Sequence, residues 1–181
     1  PLIKNHHRAF IPFMPLAASA MAIDNDYDLV ISSTAGYAKG FGFRNRRGSG
    51  YGKTPYHISY CHSPLRYAWE IDYLKDLAFS PWPIKEMIVR PIARLLRNWD
   101  SSSSRSVNVF LANSKYIADK ISSYYGREAE VVYPPVDTSV FYQERTAKPG
   151  DFFLMAGRLL YYKGFDLGIR AFNQLGLPLK I

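Results

Sequence analysis

Two short stretches of this 181-residue chain carry residue types that can do chemistry. In the first, Tyr60-Cys61-His62-Ser63-Pro64 is followed by Arg66. An imidazole exchanges a proton near neutral pH, and a guanidinium close to it is a fixed positive charge. In the second, Gly157-Arg158 is followed five residues later by Lys163-Gly164 at an expected helix start. A small glycine, two cations and the N–H groups of a helix N-terminus together favour a phosphate. Each stretch also has a plainer reading. A lone histidine at a strand end is more often a hydrogen-bonded structural residue, and Arg158 and Lys163 taken singly are more often surface charges.

Several chemistries are excluded by what the sequence lacks. Cys61 is its single cysteine, so neither an internal disulfide framework nor a cysteine-rich metal site is available. The absence of paired cysteines makes a reducing cytosol the default compartment. Neither a GxxxxGK[ST] loop nor a Gly-x-Ser-x-Gly turn occurs, and no His/Asp/Glu group has metal-ligand spacing. The glycines of residues 36–52 lack the order of a dinucleotide fingerprint and read, with Lys39, Arg44, Arg46, Arg47 and Lys53, as a flexible basic loop.

The elements that must position these residues follow from hydropathy patterning. Residues 9–23 are dense in apolar side chains and read as a helix beginning near Pro15. That uncharged stretch holds 15 residues, short of the roughly 20 a membrane-spanning helix needs. Strands are expected at 27–33, 56–61, 107–112, 130–133 and 151–156, with a last one opening at Leu179. A loosely helical segment covers 65–79. In residues 84–99, Ile84, Met87, Ile88, Ile92, Leu95, Leu96 and Trp99 form one apolar face at helical spacing, and Pro91 should kink or split that helix. Arg90, Arg94 and Arg97 share another face, read as solvated, with contact to an anionic membrane surface second. Residues 101–104, four serines, read as a polar loop. Ser114 caps a helix that runs to Tyr125 and stops at Gly126. Another helix opens at Lys163-Gly164-Phe165-Asp166 and runs to Leu175.

Strands alternate with helices, and the strand runs look apolar on both faces. That pattern places the chain in the α/β class with a parallel sheet covered by helices. Ligands of such sheets bind at the carboxyl ends of the strands, where both reactive stretches lie. A polar stretch at 142–150 reads as a linker between a first unit, 1–141, and the start of a second, 151–181. A 48% hydrophobic share is ample for a core and excludes disorder, while 23 basic against 15 acidic residues, net +8, favours an anionic partner.

In order along the chain, several runs resemble the family 4 retaining glycosyltransferases. They are Tyr27-Asp28-Leu29-Val30-Ile31-Ser32-Ser33 with Ala38-Lys39-Gly40, then Tyr60-Cys61-His62-Ser63-Pro64-Leu65-Arg66-Tyr67-Ala68-Trp69, which is the most specific. Asn113-Ser114-Lys115-Tyr116-Ile117-Ala118, Tyr125-Gly126-Arg127 and Val132-Tyr133-Pro134-Pro135-Val136-Asp137 follow, then Gly157-Arg158-Leu159, Lys163-Gly164-Phe165-Asp166 and Ala171-Phe172. The resemblance is nearest to mannosyltransferases of O-antigen type assembly. It implies the two-domain GT-B architecture: here a partial N-terminal Rossmann-like domain on the acceptor side, then the first βα unit of a Rossmann-like donor domain.

It further implies transfer of a hexose, namely mannose from GDP-mannose, with retention, to a lipid-linked or polysaccharide acceptor, without a metal or other cofactor. His62 would be the catalytic residue reaching the sugar, with Arg66 near the substrate. Arg158 and Lys163, beside Gly157, would hold the donor pyrophosphate. A cytoplasmic protein, peripheral on the inner face of the membrane, fits that acceptor. Ala35 stands where relatives carry a histidine. The opening strand and glycine-rich loop of the family, and its later glutamate pair, are not in the chain, so a piece of a longer protein, inactive by itself, is expected.

Two rivals come from other classes. One is a non-catalytic module that binds acidic membrane or polysaccharide through the basic loop 36–53 and the Arg90/Arg94/Arg97 face. The other is a different nucleotide-dependent α/β enzyme, an epimerase or dehydrogenase. Nucleic acid is not expected as a partner, because the charges are scattered and no recognition module occurs.

Overall fold

A computed structural model describes residues 7–24, 27–44, 54–70, 82–140, 150–159 and 163–181. The chain divides into two compact units, Pro1–Pro135 and Val136–Ile181.

In the first unit a 3-10 segment, His7–Phe13, runs into helix α1, Met14–Ala20, and then strand β1, Ala22–Asp24. Strand β2 is Leu29–Thr34, a 3-10 turn covers Ala38–Gly40, and β3 is Gly42–Arg44. Strand β4, Tyr56–Cys61, leads to the single-turn helix α2, Arg66–Trp69, and the long helix α3, Trp82–Ser104. Strand β5, Val109–Ala112, helix α4, Lys115–Tyr125, and strand β6, Ala129–Val131, complete it. All pairing is parallel: β2-β4-β5-β6 form a four-stranded sheet and β1-β3 a separate pair. This is the mixed α/β architecture, with a Rossmann-like parallel sheet.

Helix α4 forms where its signals lie. The Ser114 hydroxyl accepts from the Ile117 N–H at 3.4 Å, and Gly126 ends the helix in the left-handed region, φ 62°. Ile117 and Ile121, one turn apart, pack with Cys61, Val107, Phe110 and Ala112 beneath the sheet. A second cluster joins Ile11, Leu65, Ala68, Val89, Ala93 and Leu96.

Several elements differ from the sequence expectation. Residues 22–24 are strand rather than helix end, because β3 supplies backbone partners. The supposed loop 36–53 contains a 3-10 turn and β3, and its Lys39 is buried; residues 45–53 lie outside the described residues. The segment 65–79 begins as expected with the helical turn α2, and its residues 71–79 lie outside the described residues. Helix α3 runs unbroken through Pro91. The ring is exposed, where water can take the hydrogen bond it forfeits, while buried Val89, Ala93 and Leu96 hold the helix on both sides of it. Met87 and Leu95, assigned to the apolar face, are instead exposed. The four serines form the last turn of α3. The Ser103 and Ser104 hydroxyls donate to the carbonyls of Asp100 and Ser101, and the Arg127 guanidinium reaches the Ser104 carbonyl. Arg97 is no solvated charge: its Nε donates to the Ala68 carbonyl at 2.6 Å, and its guanidinium lies over the Trp69 ring. With Lys39 and Arg97 so engaged, the basic-module rival loses two of its cations.

The sheet is also not apolar on both sides. Side chains of a strand alternate between faces. One face carries Ser32, Thr34, His57, Ser59, Cys61, Phe110 and Ala112, all buried. On the other, Leu29, Ile31 and Tyr56 are exposed, and Ile58, Tyr60, Val109 and Leu111 are half-buried. The buried polar groups find one another: Ser32 Oγ lies 2.8 Å from His57 Nε2, and the Gly36 N–H donates to Thr34 Oγ1. On β2 the buried side chains are therefore the hydroxyls of Ser32 and Thr34, while Leu29 and Ile31 stand exposed on the open face.

In the second unit β7, Phe153–Leu154, pairs in parallel with β8, Leu179–Lys180, through helix α5, Phe165–Leu175. Strand β7 ends two residues earlier than expected. Phe153 and Phe172 rings meet at 5.0 Å, yet no described residue of this unit is buried. Of residues 142–150, read as the linker, all but Gly150 lie outside the described residues.

Candidate functional site

The carboxyl ends of β2, β4 and β5 lie together because the strands are parallel and in register, Thr34 opposite Cys61 and Cys61 opposite Ala112. His62 extends the ladder by one residue, its N–H donating to the Thr34 carbonyl at 2.8 Å. By alternation its ring leaves on the open face of the sheet, with Ser33 and Tyr60. Ser33 Oγ sits 2.9 Å from His62 Nε2, and the Tyr60 ring meets the imidazole edge-on at 5.0 Å. The Tyr60 hydroxyl donates to the Val132 carbonyl, and Asn113 Nδ2 donates to the His62 carbonyl at 3.3 Å. The result is an exposed imidazole fixed by a hydroxyl, a ring and two backbone hydrogen bonds. Such a group can donate or accept a hydrogen bond, or a proton, toward a polyol.

Arg66 begins α2 on the same loop. It is exposed, and its Nε donates to the Ser63 hydroxyl at 3.3 Å. Ser63 in turn donates to the Pro64 carbonyl and is buried.

The turn after β2 is clamped from inside. Lys39 and Asp100 form an ion pair that is almost wholly buried, and Lys39 Nζ also donates to the Gly36 carbonyl at 3.2 Å. Trp69 Nε1 and the Tyr125 hydroxyl donate to the other Asp100 oxygen, each at 2.8 Å. Four elements, the turn, α2, α3 and α4, thus converge on one carboxylate. Burial, with the Asp100 charge next, pushes the Tyr125 phenol far above its ordinary value. A Cβ on Gly40 would stand only 2.2 Å from the Trp99 ring, and one on Gly36 3.0 Å from Leu65 Cδ1, so Gly40 has no room for a side chain and Gly36 would have to displace the leucine. Burial pushes the Cys61 thiol up to about 11, so at neutral pH it stays protonated and is no nucleophile.

In the second unit, Gly157 and Arg158 follow β7, and Lys163 directly precedes Gly164, the N-cap of α5. Arg158 and Lys163 are both exposed. A Cβ on Gly157 would reach the Phe165 ring at 3.5 Å, so the turn lies against the first residue of the helix. Residues 160–162 lie outside the described residues.

The sequence reading singled out His62 and Arg66 but not Ser33, Tyr60 and Asn113, which hold His62, and took Lys39 for a loop charge. Strand register was the signal for Ser33 and Tyr60: both stand on the same side as His62 at the ends of neighbouring parallel strands. Among the described residues no helix is long and apolar enough to cross a membrane.

A family model described as Glycosyltransferase Family 4 matches residues 1–140. No curated protein and no solved structure matches the chain.

Proposed function

The chain belongs to Glycosyltransferase Family 4, which makes it a glycosyltransferase using a nucleotide-sugar donor and an acceptor, and from that premise we propose that it transfers mannose from GDP-mannose, with retention, to a lipid-linked or polysaccharide acceptor. The observation that carries this reading is the exposed His62 ring, pinned by Ser33 at the carboxyl end of a parallel sheet. In this role His62 is the catalytic residue at the sugar, and Arg66 lies beside the substrate. Arg158 and Lys163, on the Gly157 turn and the start of α5, hold the donor diphosphate. As the bond from the sugar anomeric carbon to the diphosphate oxygen breaks, negative charge collects on the leaving group. Fixed cations then stabilise the transition state more than the ground state, and no metal is needed for that task. The protein works in the cytoplasm, where nucleotide sugars are charged, soluble substrates.

Sugar transfer from GDP-mannose to extracted lipid-linked acceptor, by the intact protein, tests the reading. His62→Ala is expected to lower kcat by about 100-fold or more. Arg158→Ala and Lys163→Ala should each lower turnover while leaving the thermal transition unchanged. Full turnover in both cation variants would remove their assigned role.

A further inference from the structure

Asp100 is fully buried and can touch no substrate, yet both chain segments that flank His62 lead back to it. The first path runs through the turn after β2. The carboxylate pairs with Lys39, whose Nζ donates to the Gly36 carbonyl at 3.2 Å. The Gly36 N–H donates to Thr34 Oγ1 at 3.0 Å, and the Thr34 carbonyl accepts from the His62 N–H at 2.8 Å. Ser33, which meets the imidazole, is the residue just before Thr34. The second path runs through α2. The other Asp100 oxygen accepts from Trp69 Nε1 at 2.8 Å, and the Trp69 N–H closes the helical turn on the Leu65 carbonyl, three residues past His62. Arg97, on the same helix as Asp100, holds the Ala68 carbonyl at 2.6 Å.

We propose that Asp100 is a positioning residue for His62, acting through Lys39 on one side of the imidazole and through Trp69 on the other. This rests on the proposed function, in which His62 acts at the sugar. Two physical points select positioning over plain stabilisation. Dehydrating two charges costs about what their attraction returns, and an apolar pair of similar volume often serves stability as well or better. An apolar pair gives no direction, however, whereas the carboxylate fixes three donors at once: Lys39, Trp69 and the Tyr125 hydroxyl. The turn also needs direction. Gly36 has φ 149°, and glycine is the residue with the widest choice of backbone conformations, so its turn keeps one shape only through the bonds made to it. A reacting group misplaced by roughly 1 Å loses about 100-fold in rate.

The experiment replaces the ion pair by apolar side chains, Lys39→Met with Asp100→Leu, in the intact protein. The thermal transition of this double variant is expected to stay near that of the unchanged protein. Its kcat for sugar transfer should fall about 10- to 100-fold, while KM for GDP-mannose stays within about twofold. Trp69→Phe keeps a ring and removes only the donated hydrogen bond, and should lower kcat about fivefold. Val107→Ala, just before the amino end of β5 and outside both paths, should lower stability and leave kcat unchanged. A second readout needs no transfer. The proton–nitrogen NMR signals of the His62 imidazole, identified by their loss in His62→Gln, should shift or broaden in the double variant and in Trp69→Phe. Those of His57, held by Ser32, should not. Unmoved His62 signals in the double variant overturn the proposal, and so does an unchanged kcat there. A kcat loss in Val107→Ala as large as in Trp69→Phe would reduce the effect to stability and overturn it as well. Should the double variant fail to fold, Trp69→Phe carries both readouts, and unmoved signals in it are equally fatal. If the unchanged protein transfers no sugar, the proposed function falls, and the imidazole signals alone decide whether Asp100 positions His62.

Discussion

Lys39 in the first unit and Lys163 in the second are both lysines beside a glycine at a turn after a parallel strand, yet their surroundings are opposite. Lys39 is buried, committed to Asp100 and the Gly36 carbonyl, and surrounded by Trp99, Trp69 and Tyr125. Lys163 is exposed in a unit whose described residues include none that is buried. A lysine whose ammonium is shut inside an ion pair fixes geometry, since moving it strands a charge in low dielectric. An exposed lysine carries no such constraint, because water screens its charge. The comparison shows that two lysines that read alike in sequence end in opposite environments, one locked into the scaffold of the first unit and one at the surface of the second.

Removing the buried carboxylate is the largest test of that contrast. Asp100→Ala leaves Lys39, Trp69 Nε1 and the Tyr125 hydroxyl without their acceptor, and should cost about 3–5 kcal/mol in chemical denaturation. Pairing it with Lys39→Met should restore much of the loss, because the uncompensated charge is then gone. A loss no larger than that of a surface substitution would erase the distinction between the two lysines.

Next in size is the contrast in packing. Leu96 is fully buried in the first unit, while Leu167 on α5 is 65% exposed. Leu96→Ala should cost about 2–5 kcal/mol, and Leu167→Ala no more than about 0.5 kcal/mol, by the same denaturation. Equal costs would mean that the second unit has a core of its own.

The smallest expected effect is in the pH dependence of the first unit. His57 is buried beside Ser32, and burial lowers its pKa from the ordinary 6.5. The folded state therefore prefers the neutral ring, and the unfolded chain binds the proton more readily. Stability is fully present above about pH 6.5 and declines as pH falls below it toward the lowered value. Thermal transitions at pH 7.5 and 5.5 should show this decline, and it should shrink in His57→Gln. An unchanged decline in that variant would place the effect elsewhere.

How much of this was legible beforehand differs by element, for physical reasons. Strand β4 and helices α4 and α5 stand where their patterns put them, because each is marked by local signals: β-branched and aromatic runs, the Ser114 cap, and glycines at helix ends. His62 was visible for the same reason, as a polar residue directly after a strand. Helix α3 was misread at Pro91 and at its serines because tertiary contacts overrode local preference there. The hydroxyl support of His62 needed strand register, which connects residues 29 positions apart. The ion pair of Lys39 and Asp100 joins residues 61 apart, and no local rule distinguishes such a lysine from one in a loop.

Patterning and composition alone established an α/β chain with a parallel sheet and the order of most of its elements, because these depend on interactions between residues close in sequence. Tertiary structure decided which face of the sheet is covered, which cations are locked inside, and which apolar residues are left facing outward. Burial is a property of what lies opposite in space, and long-range packing alone selects which of two equally apolar side chains loses contact with water.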